Sequence, residues 1–370
     1  MKQTFLFFVL TASCLLIAAP GQTDLVSLYK AGTIECQPDP AFASGVDWES
    51  LFMKPRKEIV AAPDGSIFVS SQDEHNIRRF DPDGSLIKTF GRRGRGPGDL
   101  ERPGKMSILD GQILVVGDRI SNLRISLFDL DGSFRKVLKT EHTPTSPQAL
   151  SDNKIAYIAL LNRPPDKARP VIARYIEKVI IKDVDSGEEN AVVEYKTSMN
   201  RAKDGKVFIA RTRSGQLLVG MSLNPELDIY DLSGKRTGSI SLDIDPLKVT
   251  AKVRENHQLR YAYIKDGRRH SDKGPIGDFL PYYCDLSVDS EGNILVFLMK
   301  DNIKEGPFPL QVYSPEGTLL CRSSLDTGDY EFFPDNRFHK FEYTDRGIFC
   351  ILHRKGDEME TPRLMRIKIR

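Results

Sequence analysis

Long apolar runs, cysteine and an excess of either charge are all scarce in this sequence. Beyond residue 20 no stretch is apolar for long enough to form a transmembrane helix. The 53 Lys and Arg residues nearly balance the 51 Asp and Glu residues, which argues against binding of nucleic acid through bulk charge. The cysteines beyond residue 20 are too few for a disulfide framework and show no metal-binding spacing, so their pairing stays open; they are Cys36, Cys284, Cys321 and Cys350.

The one long apolar run lies at the amino terminus. It covers residues 4–19, follows a short basic start and is too short to cross a bilayer comfortably. This pattern predicts a secretory signal peptide over residues 1–21, with cleavage before Gln22. The alternative is a lipoprotein signal in which Cys14 is acylated, although the residue three places before it is not aliphatic. In both cases we expect an exported protein, either secreted or periplasmic, or anchored through a lipid.

Residues 77–103 contain the pattern that organises the rest of the chain. Two strand-like stretches, residues 77–80 and 86–90, flank the sequence Asp81-Pro82-Asp83-Gly84. Asp and Pro early in a turn and Gly at its last position are typical of a type I turn, so the two strands are predicted to form a β-hairpin. A loop rich in glycine and arginine follows the hairpin.

Versions of this hairpin recur along the chain, and each follows a second pair of strands. The other hairpins lie at residues 125–139, 179–195, 227–242 and 310–325. The upstream pairs lie at residues 58–71, 106–116, 148–160, 207–220, 285–298 and 340–352. The second strand of each unit is apolar without alternation, which predicts burial on both faces. Six such units indicate an all-β, six-bladed β-propeller of four-stranded antiparallel blades, forming one domain over residues 22–370.

The two ends of the chain predict how the ring closes. The sixth unit ends at its third strand, residues 364–369, and lacks a fourth strand of its own. Residues 25–35 are strand-like and have no partner nearby in the sequence. We therefore expect this amino-terminal strand to complete the last blade, which would remove two exposed sheet edges.

One long interruption, residues 243–283, separates the fourth unit from the fifth. Asp245 suits a helix N-cap, Pro246 suits the first helical position and Gly267 can end a helix. The pattern predicts a partly helical insertion that packs on the propeller rim as a lid. The alternative is a helix that is offered to a partner protein.

The repeat and the loop after the first hairpin together resemble the NHL-type six-bladed β-propeller. They are similar in particular to secreted bacterial six-bladed propellers of unknown function, which carry a phenylalanine–glycine start and a GxGPG-E/D segment between blades. The matching residues are Phe90, Gly91, Gly94, Gly96, Pro97, Gly98 and Asp99. Because some NHL-type propellers are lyases or hydrolases with metal-holding channel residues, the resemblance also implies a candidate enzyme activity.

The lengths of the connections indicate which end of the propeller binds a ligand. Tight turns join strands one to two and three to four, whereas the connections from strand two to three and from blade to blade are mostly long and polar. Binding residues gather on variable loops held by a rigid scaffold, so the long-loop end is predicted to carry the site. The candidate ligand-binding residues are Asp73, His75, Arg92, Arg93, Arg95, Arg119, Asn122, Tyr330 and Phe333.

The arginine loop, residues 91–103, allows two interpretations. Arg92, Arg93 and Arg95 can present guanidinium forks to an anionic ligand. Alternatively, the glycines only shape a crossover between blades, and the arginines are solvated or paired with acidic neighbours such as Asp99. No Gly-Lys-Ser/Thr sequence follows, which excludes a nucleotide-binding P-loop.

These patterns together predict a secreted, monomeric binding module. Its ligand, an unknown peptide, glycan or protein partner, is expected on the long-loop face and at the channel mouth. No cofactor, metal or nucleic acid is expected, because the six histidines show no paired ligand spacing. One alternative is a lyase or hydrolase of the NHL or lactonase-like kind, with a metal in the central channel held by residues such as His75, His142, His339 or His353. Another alternative is a structural scaffold of an envelope assembly.

The N-terminal processing is directly testable. We expect the exported protein to begin at Gln22 with a free amine, as measured by intact mass and N-terminal sequencing after expression with its own leader. A Cys14→Ser variant should be exported and processed like the wild type, because a secretory signal does not use the thiol. A mature chain that begins with a lipid-modified Cys14, and that loses membrane attachment in the variant, would establish the lipoprotein alternative.

Overall fold

The computed structural model describes most of the chain, with short gaps. The described residues are 25–52, 57–118, 123–162, 174–198, 205–256, 261–265, 268–272, 277–302, 306–331, 341–344, 346–356 and 362–367. In this part of the chain the structure has 27 strands and three short helices. The predicted signal peptide lies outside the described residues. None of the described helices is long and apolar enough to cross a membrane.

The strands form six antiparallel blades arranged in a ring, which confirms the predicted six-bladed β-propeller. Before the first blade come α1 (Leu25–Lys30), β1 (Thr33–Glu35) and α2 (Trp48–Leu51). Blades one to three consist of β2 (Lys57–Ala61), β3 (Ile67–Ser71), β4 (Asn76–Phe80), β5 (Leu86–Phe90); β6 (Pro103–Leu109), β7 (Ile113–Asp118), β8 (Arg124–Asp129), β9 (Phe134–Lys139); and β10 (Thr143–Ala149), β11 (Lys154–Asn162), β12 (Arg174–Asp183), β13 (Glu189–Ser198).

Blades four and five follow the same order from the channel outwards, whereas in blade six the other three strands all pair with β26. Blades four and five consist of β14 (Val207–Arg211), β15 (Leu217–Met221), β16 (Glu226–Tyr230), β17 (Arg236–Ser241); and β20 (Tyr283–Val288), β21 (Ile294–Leu298), β22 (Phe308–Tyr313), β23 (Leu319–Asp326). Blade six consists of β24 (Tyr330–Glu331), β25 (Phe341–Thr344), β26 (Gly347–Arg354) and β27 (Arg363–Ile367). Both β24 and β25 pair with β26. Strand β24, with two residues, is the shortest strand of blade six.

The first hairpin forms as the turn sequence predicts. The N–H of Gly84 donates to the carbonyl of Asp81 at 3.0 Å, and the Asp81 carboxylate accepts the N–H of Asp83, which closes a tight turn. Gly84 has a φ of 88°, a left-handed conformation that glycine adopts without strain. The same carboxylate also accepts the N–H of Ser85. The local sequence thus supplies the hydrogen bonds within this turn, and Ala43 and Arg366 add contacts to its outer carbonyls.

Six apolar clusters hold the ring together, one between each pair of neighbouring blades. Strand β3 shows why: all five of its residues are buried, because one face packs on blade two and the other on blade six. Burial on both faces is what the non-alternating second strands predict. The hydrophobic core of the propeller is therefore divided among the six interfaces between blades. Each blade depends on its two neighbours for stability.

The amino-terminal segment differs from the expected closing strand. Residues 25–30 form helix α1, and β1 pairs in parallel with β23 of blade five rather than with blade six. The helix is favoured because Leu25 and Tyr29, one turn apart, are both buried between blades five and six. The next residues do reach the open edge of blade six, where Pro38 forms an isolated antiparallel bridge with Ile367.

An aromatic wedge, made of Phe42, Trp48 and Phe52, closes the ring between blades six and one. The ring of Phe42 lies 5.7 Å from that of Phe349 in blade six. The ring of Phe52 stacks on Trp48 and lies 6.1 Å from that of Phe80 in blade one. The ring is therefore closed here largely by the packing of aromatic side chains, where the sequence predicts closure by a fourth strand.

The insertion between blades four and five is partly helical, but its helix begins later than predicted. Helix α3 spans Ala251–Asn256, and Thr250, not Asp245, is its N-cap, with Oγ1 accepting the N–H of Val253. Asp245 cannot start a helix here because residues 247–249 are extended and pair with residues 278–280. A hairpin of β18 (Tyr261–Lys265) and β19 (Arg268–Asp272) follows, and Gly267 lies outside the described residues.

We expect the wedge to govern stability. Phe52 is 1% exposed, so Phe52→Ala should lower the free energy of unfolding by about 3–5 kcal/mol, through lost burial and a cavity between blades. The measurement is urea unfolding followed by circular dichroism.

The matched control is Phe279→Ala, because Phe279 is 49% exposed and its loss should change the free energy of unfolding by no more than about 0.5 kcal/mol. Equal effects of the two substitutions would show that the wedge does not close the ring.

Candidate functional site

The arginine loop is folded onto its own acidic residue. The Oδ1 atom of Asp99 accepts the Nε–H of Arg92 at 2.9 Å, and its Oδ2 atom accepts the backbone N–H of Gly96 at 2.9 Å. These contacts lower the pKa of Asp99, with the Arg92 hydrogen bond as the largest cause. The side chains of Arg93 and Arg95 are exposed. Of the three candidate arginines, Arg92 is thus engaged within the loop, while the other two face solvent.

The glycines of the loop have a structural role. A Cβ atom on Gly94 would lie 2.3 Å from Oδ2 of Asp99, so only glycine allows the carboxylate to sit there. The buried guanidinium of Arg124 holds the loop from below: it donates to the carbonyls of Arg95 and Asp99 and pairs with Asp118. The loop is therefore a braced crossover between blades one and two.

The structure brings His75 to the arginine loop, where its Nδ1 atom is hydrogen-bonded to the carbonyl oxygen of Glu101. Asp73 is exposed nearby on the same connection. Tyr330 is half-buried against the core between blades five and six. The remaining candidates, Arg119, Asn122 and Phe333, lie outside the described residues, as does His339.

A buried charge cluster that the sequence pattern missed lies at the start of the first blade. The Nζ atom of Lys57 donates to Glu74 at 2.9 Å and to Ser71 at 2.7 Å, and Arg78 pairs with the other oxygen of Glu74. Phe52 covers both cations, with Lys57 Nζ 5.2 Å and Arg78 Cζ 5.4 Å from its ring centre. Burial lowers the pKa of Lys57 to about 8 against the opposing effect of Glu74. Each cation has partners, so this cluster is structural.

A polar cavity of about 470 Å³, here called the channel cavity, occupies the centre of the ring. The first strands of all six blades line it, because the inner edge of each blade faces the ring axis. Among its polar lining residues are Lys105, Gln148, Ser287 and Glu342. The inner strands gave no sequence signal for this site, because their channel-facing residues alternate with buried ones and carry no motif.

Glu342 is the most perturbed acid in the channel cavity. Burial raises the pKa of its carboxyl group to about 8, although the backbone N–H of Ala61 donates to it and Lys105 lies close enough to oppose the shift. A carboxyl group with this pKa is protonated over much of the neutral range. It can therefore donate a hydrogen bond inside the channel at pH 7.

A second cavity, of about 750 Å³, opens at the tight-turn end of the channel, and we call it the arginine mouth. Arg211 and Arg213 reach it from blade four and Arg346 from blade six, while Glu291 lines it from blade five. The two cavities share Arg211 and Arg213 in their linings, so they are adjacent.

The arginines of the mouth pass close to turn glycines of the neighbouring blades. A Cβ atom on Gly65 would lie 1.9 Å from Nη1 of Arg346, and one on Gly292 would lie 2.6 Å from Cβ of Arg213. Arg346 also donates to the carbonyl of Asp64 at 3.2 Å. The tight turns thus serve as rigid supports for cationic side chains.

The predicted site and the observed cavities lie at different places. The arginine loop and His75 are on the long connections, whereas the arginine mouth is among the turns between strands one and two. Within the described residues, no three His, Cys, Asp or Glu side chains are grouped so that they could hold a metal ion. The four cysteines of the described chain are free thiols.

Neither a protein-family model nor a curated protein matches the sequence. Solved structures match over most of the chain. One is a protein of Bacteroides fragilis NCTC 9343 described as exported, at 12% identity and a TM-score of 0.51, covering 91% of this chain and 99% of that one. Another is a DUF4221 family member from Bacteroides vulgatus ATCC 8482, at 10% identity and a TM-score of 0.54, covering 89% and 94%.

Virginiamycin B lyase from Staphylococcus aureus also matches, at 9% identity and a TM-score of 0.44, covering 85% of this chain and 95% of that one. At these identities the likeness shows the shared propeller fold and nothing about activity. The closer kinship to NHL-type propellers therefore stays a prediction from the sequence.

The raised pKa of Glu342 predicts a pH dependence of stability. In the unfolded chain the group titrates near 4.5 and in the folded chain near 8, so the folded state holds the proton more tightly and stability falls as pH rises from about 4.5 to 8. Glu342→Gln removes this loss. The variant should exceed the wild type in free energy of unfolding by at least about 1 kcal/mol at pH 9 and match it more closely at pH 4.

The measurement is urea unfolding across this pH range, with Glu255→Gln on the exposed face of α3 as the control. If the difference between Glu342→Gln and wild type does not change with pH, the pKa of Glu342 is not raised by folding.

Proposed function

We propose that this protein is an exported binding module that receives its ligand in the central channel. The observation that supports the proposal is the pair of adjacent cavities, the channel cavity and the arginine mouth. Each cavity falls within the range of about 300–1,000 Å³ that small-molecule sites occupy. A small molecule, or the end group of a glycan or peptide, fits such a space.

The lining of this space favours a ligand over a filled core. In the channel cavity the side chains of Ser287 and Gln148 are only half-buried, and polar residues stand among the apolar ones of the lining. Interiors that serve only packing are filled by apolar side chains at high density. A polar, open axis in an otherwise close-packed ring instead offers hydrogen bonds to a guest.

Export is argued from the amino-terminal sequence alone. A basic start, an apolar run over residues 4–19 and small residues before Gln22 are the features that a secretory signal requires. A partner at the long-loop end, where Arg93 and Arg95 face solvent, is compatible with a channel ligand, because the two sites lie apart.

An enzyme is the second candidate, and Glu342 is the residue that favours it. A carboxyl group with a pKa near neutrality in a cavity is suited to act as a general acid or base in a lyase or hydrolase. The two functions differ in the fate of the ligand: a binding module returns it unchanged, whereas an enzyme returns a product that mass spectrometry detects and that Glu342→Gln abolishes. A pure scaffold would bind nothing in the channel.

A substitution that fills the channel tests the proposal. Ser287→Phe places an aromatic ring in the channel cavity, so it should abolish the rise in melting temperature that channel ligands cause. A ligand at a hundredfold excess over its Kd stabilises the wild type by about 2.7 kcal/mol, enough to detect in a thermal-shift screen of glycans, peptides and small acids.

The control is Ser239→Phe, the same change on the exposed outer strand of blade four, which should keep every hit. The proposal fails if the hits stabilise Ser287→Phe as much as Ser239→Phe, or if no compound stabilises the wild type.

A further inference from the structure

Positively charged residues outnumber negatively charged ones in the lining of the arginine mouth, which contains three arginines and one glutamate. The cations that line the two cavities are Lys105, Arg211, Arg213 and Arg346, and the acids are Asp289, Glu291 and Glu342. The chain as a whole carries a net charge of only +2, so this grouping is a local feature. Charges of one sign in a cleft with low-dielectric walls focus their field on a ligand of the opposite sign.

The acids in the lining make contacts outside the arginine mouth, and within the described residues none of them forms an ion pair with Arg211, Arg213 or Arg346. Asp289 accepts hydrogen bonds from the hydroxyl of Tyr29 at 2.9 Å and from the backbone and side-chain nitrogens of Asn293. Glu291 accepts the backbone N–H of Leu25 at 3.4 Å. Glu342 is held largely uncharged at neutral pH by burial, which raises its pKa.

The side chain of Arg211 has a buried N–H donor that lacks an acceptor among the described residues. The Nε atom of Arg211 is shielded from solvent and has no hydrogen-bond partner among the described residues. A buried unsatisfied donor is costly, and a bound water or anion that accepts from it would remove that cost. An oxyanion in the arginine mouth would supply that acceptor.

The arginines are positioned in advance. Arg346 is held over Gly65 by its bond to the Asp64 carbonyl, and Arg213 packs over Gly292. Side chains fixed by backbone contacts lose less entropy on binding, which increases affinity for a matching ligand.

We propose that the arginine mouth binds a small molecule that carries an oxyanion group, a carboxylate or a phosphate, through Arg211, Arg213 and Arg346. This inference rests on the proposed function, since it assigns a ligand class to the same channel. The guanidinium fork matches the planar carboxylate and the phosphate face in the same bidentate manner.

Isothermal titration calorimetry with citrate and with inorganic phosphate tests this assignment, with glucose as the neutral probe. We expect at least one anion to bind the wild type with a Kd of about 1 mM or lower, more weakly as NaCl is raised, and glucose not to bind. Preference for citrate or for phosphate tells a carboxylate ligand from a phosphorylated one. Arg211→Gln and Arg213→Gln should each weaken anion binding by more than about tenfold.

The matched control is Arg135→Gln, because Arg135 is an exposed arginine of blade two that pairs with Asp129 away from both cavities. Equal binding by all the variants, or no anion binding at about 1 mM, overturns the assignment.

The outcome is separable from that of the proposed function. If screened neutral ligands lose binding in Ser287→Phe but not in Arg211→Gln, the channel is a binding site and the oxyanion assignment is wrong. If anion binding depends on Arg211 but survives Ser287→Phe, the arginine mouth acts alone and the channel proposal is wrong.

Discussion

Closure of the ring is the constraint on which the rest of this structure depends. Each blade is apolar on both faces and is stable only between two neighbours, so one open interface would expose two apolar sheet faces. The amino-terminal segment seals two such interfaces in sequence. Helix α1 and strand β1 fill the space between blades five and six, and the aromatic wedge fills the next one. A segment of fewer than 30 described residues thereby couples blade one to blades five and six, which lie at the other end of the sequence.

Closure also determines the shape of the channel cavity. The hydroxyl of Tyr29 in α1 donates to Asp289, which lies in the turn that also carries Glu291 and Gly292 beside the channel. The segment that closes the ring thus touches the lining of the cavity directly. Once the ring is closed, the six inner strands face one another across the axis, and their polar side chains cannot be covered by further packing. Stability and an open polar channel therefore arise from the same geometry.

The sequence predicts the elements whose signals are local and repeated. The Asp81–Gly84 turn contains its own hydrogen bonds. The second strands, which are apolar without alternation, indicate burial on both faces, so six blades could be predicted. The closing segment could not, because residues 25–35 have strand-forming composition and only their contacts with blades five and six make the first part helical. Asp245 failed as an N-cap for a similar reason, since pairing of residues 247–249 with 278–280 overrides a local signal.

The candidate site was harder to predict, because the length of a loop does not show whether its side chains are free to bind a ligand. Long loops do gather variable residues, yet the loop that looked richest in donors uses Asp99 and Arg124 to brace itself. The tight turns, which the sequence pattern marks only as structural, bring arginine side chains close to glycine backbone beside the axis. A short turn next to the axis positions a long cationic side chain more firmly than a long loop can. For recognition of a small anion, where geometry and desolvation decide affinity, that rigidity favours the tight-turn end of the propeller.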